Sequence, residues 1–89
     1  MVIFVVTSSS EIYYEGDATM VSGAYSTYEK ALEACKEWAK EENAELSINE
    51  RTARNGPSAM IDILREHTNC DVEWIDIIPV KMDAKLIND

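Results

Sequence analysis

The chain has 89 residues, 46% of them hydrophobic, which suits one domain built around a single modest core. Its 17 acidic and 8 basic residues give a formal net charge of −9, and this charge repels nucleic-acid phosphates and anionic lipid headgroups. The composition therefore predicts a single domain over residues 1–89 that binds neither nucleic acid nor a membrane surface directly. A basic protein partner would suit the charge, although such a charge also serves solubility.

The cysteines and the N-terminus carry no sign of secretion. Cys35 and Cys70 form no CxxC motif and have no second thiol or histidine at zinc spacing, so neither a metal site nor a disulfide is expected. The apolar run that follows Met1 is too short for a signal peptide or a membrane span. These features favour a reducing, cytoplasmic location.

The first half of the chain reads as two strands followed by a helix. Val2 to Thr7 is β-branched or aromatic, the pattern of a strand buried on both faces and central in its sheet. Ser8 to Asp17 is polar and predicts a loop or hairpin connection. Thr19 to Tyr25 is the second strand, antiparallel to the first, with Gly23 at a bulge or a close approach.

A capping signature marks the start of the helix. Ser26 can accept from the amide of Glu29, whose carboxylate can reach back to the Ser26 amide. At helical spacing, one side of this helix is apolar: Tyr28, Ala31, Leu32, Cys35, Trp38 and Ala39. The helix should end between Glu41 and Asn43, with Asn43 as a left-handed terminator.

The second half is expected to contain another helix between two strands. Ala44 to Glu50 alternates weakly and fits a short half-buried strand or an extended linker, and a polar loop from Arg51 to Gly56 follows. Proline is tolerated in a first helical turn, so Gly56-Pro57-Ser58 predicts a second helix ending at Thr68-Asn69. Its apolar side would comprise Met60, Ile61, Ile63, Leu64 and His67.

Val72 to Met82 predicts the last strand, which Pro79 should restrict to an edge, a bulge or two pieces, and residues 83–89 should fray. The expected fold is an α+β domain of approximate order ββαβαβ, with two helices packed on one face of a mostly antiparallel sheet. The other face stays exposed. Four aromatic residues are candidates to cover it or to meet a partner: Tyr13, Tyr14, Tyr25 and Trp74.

No set of residues predicts catalysis or a cofactor. His67 and Cys70 are close in sequence but lack an orienting third group, so a structural role for His67 near a helix end is favoured. Asp71 and Glu73 should lie on the opposite strand face from Asp76, which argues against a metal site. We therefore expect no catalytic, cofactor-binding or metal-binding residues.

The acidic segment, defined as Glu41, Glu42, Glu45 and Glu50, has no basic residue before Arg51. Its carboxylates are either solvated turn residues or a surface for a basic partner, and with Tyr13 and Tyr14 they are the candidate partner-binding residues. Unpaired strand edges and an uncovered sheet face also predict a homodimer, formed by sheet extension or by face packing.

The strand Val2-Ile3-Phe4-Val5-Val6-Thr7-Ser8 and the junction V-S-G-A-Y-S-T-Y-E-K-A from Val21 to Ala31 resemble small uncharacterised bacterial and phage proteins. The resemblance covers about a third of the chain. It implies a strand, a second strand and a capped helix, and a phage or mobile-element accessory protein, but no activity. The sequence as a whole predicts a non-enzymatic protein-binding module acting on a host factor. The alternative is a small-molecule sensor or small enzyme that uses a cleft between sheet and helices.

Overall fold

The computed structural model describes residues 1–12, 16–64 and 72–82, which form one helix and five strands. In chain order these elements are β1 (Val2–Ile12), β2 (Gly16–Tyr25), α1 (Tyr28–Glu41), β3 (Glu45–Ala53), β4 (Gly56–Leu64) and β5 (Trp74–Lys81). Each strand pairs antiparallel with its neighbours, in the order β2-β1-β5-β4-β3. The element order is thus ββαβββ, and the predicted ββαβαβ order is wrong.

The β1–β2 hairpin is antiparallel, as predicted, but both strands are longer than the pattern indicated. β1 continues to Ile12 and β2 begins at Gly16, so most of the predicted connection is strand. The register shifts beside Val6, and a Cβ added at Gly23 would lie 3.1 Å from the Tyr25 hydroxyl oxygen. A side chain at this position would therefore press on the Tyr25 ring, which fits the close approach that the sequence indicated.

The helix start lies one residue later than predicted. Thr27, not Ser26, is the N-cap: its backbone is extended and its side-chain oxygen accepts from the Lys30 amide at 3.2 Å. Thr27 and Ser26 both carry a hydroxyl that can cap a helix, so the spacing from Ser26 to Glu29 could not show which of the two is the N-cap. The predicted end is confirmed, because α1 ends at Glu41 and Asn43 has a left-handed φ of 54°.

The predicted second helix is wrong, because its described residues form β4. Burial alternates strictly there: Ile61 and Ile63 are buried, while Met60, Asp62 and Leu64 are exposed. A period of two is the strand pattern, and β-branched isoleucine favours it. Pro57, which predicted a helix start, is the second residue of β4 and pairs with Thr52. Residues 65–71, with His67, Cys70 and Asp71, lie outside the described residues.

The predicted polar loop at Arg51–Gly56 is mostly hairpin. β3 continues to Ala53, which pairs with Gly56, so the connection is only Arg54-Asn55. The Asn55-Gly56 dipeptide between two alternating runs is a strong hairpin signal, and Gly56 adopts a φ of +144° that favours glycine. Of the two readings for Ala44 to Glu50, the strand is confirmed.

Pro79 lies in a strand flanked on both sides, contrary to the prediction that it confines β5 to an edge, a bulge or two pieces. β5 pairs with β1 along its whole length, Pro79 opposite Phe4. Its pairing with β4 ends at Ala59–Ile77, and continuing that register places Pro79 opposite Pro57. The two prolines, which both lack an N–H, therefore face each other where this ladder ends, so no sheet hydrogen bond is lost.

The core lies between α1 and one face of the sheet. Ala31, Ile61 and Ile77 are fully buried there, and the Phe4 ring meets the Tyr28 ring edge-on, with centroids 6.2 Å apart. The single helix of the described residues covers only this face. The candidate functional site lies on the opposite face of the sheet.

Candidate functional site

We call the sheet surface opposite α1 the open face. Because side chains alternate across a strand, the residues between the buried ones point to it. Its apolar members come from four strands and include Ile3 and Val5 of β1, Val21 of β2, Met60 of β4, and Ile78 and Val80 of β5.

The open face is unusually apolar for an exposed surface. Val21 keeps 70% of its side-chain surface exposed, Leu64 50%, Ile78 44% and Met60 41%. Within the described residues, nothing packs over these side chains. The register places Ile78 opposite Val5 and diagonal to Met60, whereas Thr7 and Asp76 separate Val21 from Met60, and Leu64 lies beyond Asp62. A contiguous exposed apolar patch rimmed by polar groups is typical of an interaction surface.

Two carboxylates stand inside this apolar patch. Asp76 lies opposite Thr7 of β1 on one side and Met60 of β4 on the other. Asp62 follows Met60 by two residues and lies opposite Trp74. The two aspartates are thus diagonal neighbours on adjacent strands, within reach of each other. Arg51 is the only basic residue among the described open-face residues. It lies on β3, two strands away from Asp76, and follows Asn49, the residue that pairs with Met60, by two positions.

The surroundings of Asp76 disfavour its charge. Partial burial raises the pKa of the Asp76 carboxyl above its ordinary value, and the negative charge of Asp62 raises it further. A half-buried carboxylate beside a second one costs folding free energy. A cation placed between the two would offset that cost.

The acidic segment does not form one cluster. Glu41 and Glu42 are exposed at the end of α1, and Glu45 lies on the open face at the start of β3. Glu50 faces the helix side, where its carboxylate accepts a 2.9 Å hydrogen bond from the Tyr28 hydroxyl. Burial and this bond raise the pKa of Tyr28 to about 12. Glu50 therefore has a structural contact, and Glu45 is the member of the segment beside the apolar patch.

The candidate aromatic residues also separate. Trp74 lies on the open face, as the sequence suggested, whereas Tyr25 lies opposite Phe4 on the helix side. Tyr13 and Tyr14 lie outside the described residues, as does His67.

A second concave feature lies between α1 and the sheet. A cavity of about 200 Å³ is lined by Val6, Ser8, Ser22, Tyr25, Cys35 and Trp38, among others. The Ser8 and Ser22 hydroxyl oxygens are 2.9 Å apart and supply its polar wall. Burial raises the pKa of the Cys35 thiol to about 11, so the thiol is neutral at physiological pH. We call this feature the cleft.

Over residues 1–12, 16–64 and 72–82, no group of three or more His, Cys, Asp or Glu side chains is placed to hold a metal ion. In the same part of the chain, no helix has the length and apolar character needed to cross a membrane. Comparisons with protein-family models, with curated proteins and with solved structures gave no match.

Sequence reasoning missed the aspartate pair. Asp62 falls within the segment predicted as a second helix, and Asp76 was considered only as a metal ligand with Asp71 and Glu73. The signal that could have found the pair was the alternation in Met60-Ile61-Asp62-Ile63, which puts Asp62 on the side opposite the buried isoleucines.

Proposed function

We propose that this chain is a non-enzymatic protein-binding module, and that its open face takes a cationic, partly apolar helix of a partner protein. The observation that carries the proposal is the Asp62–Asp76 pair inside an exposed apolar patch. Apolar side chains of the partner would cover Ile78, Met60 and Val21. A lysine or arginine between the aspartates would neutralise the pair.

The architecture favours a helix as the partner's form. A sheet with one apolar face is normally covered by a helix or by another sheet, and α1 already covers the other side in this way. An amphipathic helix presents apolar and basic residues at a spacing of three and four, which suits a flat sheet surface. The proposed complex would thus sandwich the sheet between α1 and the partner.

Face-to-face packing of two copies is the weaker candidate for the open face. It would bring Asp62 and Asp76 of both chains into one desolvated interface. A cationic partner removes this cost. The resemblance to small bacterial and phage proteins adds the proposal that this partner is a basic host factor.

A peptide titration tests the proposal. The probe is a helical peptide of about 18 residues, five turns long, with leucine on one side and arginine beside it. We expect it to bind in a salt-sensitive manner, because exposed charge pairs are screened over about 8 Å at physiological ionic strength. The matched peptide with glutamate for arginine should not bind. Equal binding of both peptides, or of neither, contradicts the proposal.

The cleft supports a second candidate, a sensor of small neutral molecules. A dry 150 Å³ cavity accepts benzene, so a 200 Å³ cleft has room for one substituted ring. Its described lining includes no charged side chain, and the Ser8 and Ser22 hydroxyls can bond one polar group. A phenol-sized neutral ligand is therefore favoured over an anion.

We expect phenol, but not benzoate, to raise the midpoint of thermal unfolding by about 6–11 °C at ten times its dissociation constant. Ala34 lines the cleft, so Ala34→Leu should fill it and remove the phenol effect. A phenol shift that persists in Ala34→Leu would place the ligand elsewhere and remove the cleft as a candidate.

A further inference from the structure

β3 is a long and regular edge strand whose charged residues are Glu45, Glu50 and Arg51. Among the described residues it pairs with β4 alone, in an uninterrupted register from Glu45–Leu64 to Ala53–Gly56. Its sequence, E-L-S-I-N-E-R-T-A, has no proline, no lysine and no bulge. The other edge, β2, carries the register shift beside Val6. Natural proteins usually interrupt or cover long regular edges, so the uninterrupted ladder of β3 leaves room for a second strand whose charges complement those of β3.

The backbone groups on the free side of β3 can be assigned. The Ile63 amide donates to the Glu73 carbonyl, and the Met82 amide donates to the Met1 carbonyl. Ile63 therefore directs its backbone groups toward β5. Since successive residues alternate, Ser47 and Asn49 direct theirs toward β4, while Leu46, Ile48, Glu50 and Thr52 direct theirs to the free edge.

We propose that two copies of this chain pair through β3, antiparallel, about a two-fold axis at Ile48. Ile48 then lies opposite Ile48 of the second copy, and Leu46 lies opposite Glu50, each such pair exchanging two backbone hydrogen bonds. On the open-face side, Glu45 lies opposite Arg51 and Ser47 lies opposite Asn49. The five-stranded sheets become one sheet of double width.

Charge complementarity selects this register. With the axis at Ile48, both Glu45–Arg51 pairs of the dimer bring opposite charges together. An axis one residue later places Arg51 opposite Ser47 and Glu45 opposite Ala53, and an axis one residue earlier places Glu45 opposite Asn49. Only the Ile48 axis joins Arg51 to Glu45. The proposed dimer interface contains neither Asp62 nor Asp76, so the dimer can be tested independently of the proposed partner site.

Sedimentation equilibrium at physiological ionic strength, where repulsion between the acidic chains is screened, tests the pairing. We expect a monomer–dimer equilibrium for the native chain. Glu45→Arg and Arg51→Glu should each weaken dimerisation about tenfold, because each creates like-charge pairs across the axis. The double variant Glu45→Arg/Arg51→Glu should restore it. A monomer at every concentration, or a dimer indifferent to these changes, overturns the proposal.

Cysteine cross-linking tests the register separately, in a Cys70→Ser background in which Cys35 is buried. The double variant Ser47→Cys/Asn49→Cys should form a covalent dimer on oxidation, because these positions face each other across the axis at Ile48. Neither single variant should do so. A covalent dimer of Ser47→Cys alone or of Asn49→Cys alone would place the axis at that residue and overturn the proposed register.

Discussion

Replacing Ile77 with alanine should lower the free energy of unfolding by about 3–4 kcal/mol, whereas the same change at Ile78 should cost less than about 1 kcal/mol. The two residues are neighbours in β5 and have the same side chain. Ile77 is fully buried under α1, and Ile78 keeps 44% of its surface exposed on the open face. The difference therefore measures how unequally the two sheet faces are covered.

Urea unfolding followed by circular dichroism gives both values. Ile77→Val, which should cost about 0.5–1.5 kcal/mol, keeps the comparison possible if Ile77→Ala does not fold. Equal losses at the two positions would mean that the open face is buried in the free protein, and this would remove the proposed binding surface.

The second large effect concerns Asp62 and Asp76. The double variant Asp62→Asn/Asp76→Asn should weaken binding of the leucine–arginine peptide by at least about tenfold, or 1.4 kcal/mol, because the desolvated charge partners of the arginine are lost. Asparagine keeps the size and polarity of the side chains, so the change isolates the charge.

A matched control separates this site from the overall charge. Glu33→Gln/Glu37→Gln removes two negative charges from the exposed side of α1. If long-range attraction alone holds the peptide, the two double variants weaken binding equally, and the aspartate pair has no particular role. We expect the glutamate variant to change the dissociation constant by no more than about threefold.

The same aspartates should lower the stability of the free protein. The raised pKa of Asp76 means that its ionised form is disfavoured in the folded state, so its contribution to stability falls as pH rises from the ordinary carboxyl value of 3.8 through the raised one. Asp76→Asn removes this loss. We expect it to gain about 0.5 kcal/mol at neutral pH, or about 2–4 °C in the unfolding midpoint, and nothing below about pH 3.8.

The close approach at Gly23, the left-handed Asn43 and the antiparallel pairing of β1 with β2 were predicted correctly because their signals are local, whereas the predicted burial of β1 on both faces was wrong: Ile3 and Val5 are only partly buried. A glycine at a close approach, a left-handed helix terminator and a β-branched run depend on the residues themselves. β4 was missed because a short apolar run with a proline near its start also fits a helix. Its strict alternation and the Asn55-Gly56 dipeptide at the end of the Arg54-Asn55 turn were the better signals.

The candidate site depends on contacts that one sequence does not give. Asp62 and Asp76 become neighbours only because β5 returns between β1 and β4, and no local pattern predicts that strand order. The prediction for Pro79 failed for the same reason. An interior strand tolerates Pro79 because Pro57 lies across the ladder from it, and the sequence does not show that these two residues face each other. The sequence predicted that one sheet face is exposed, but only the strand register shows which residues lie on that face.

The most direct test of the open face as a binding surface is a nuclear magnetic resonance titration of the labelled protein with the leucine–arginine peptide. We expect amide and methyl shifts to change at Val21, Met60, Asp76 and Ile78, while those of the exposed side of α1 stay unchanged. Shift changes confined to α1 or to the cleft, with the open-face signals unmoved, would contradict it.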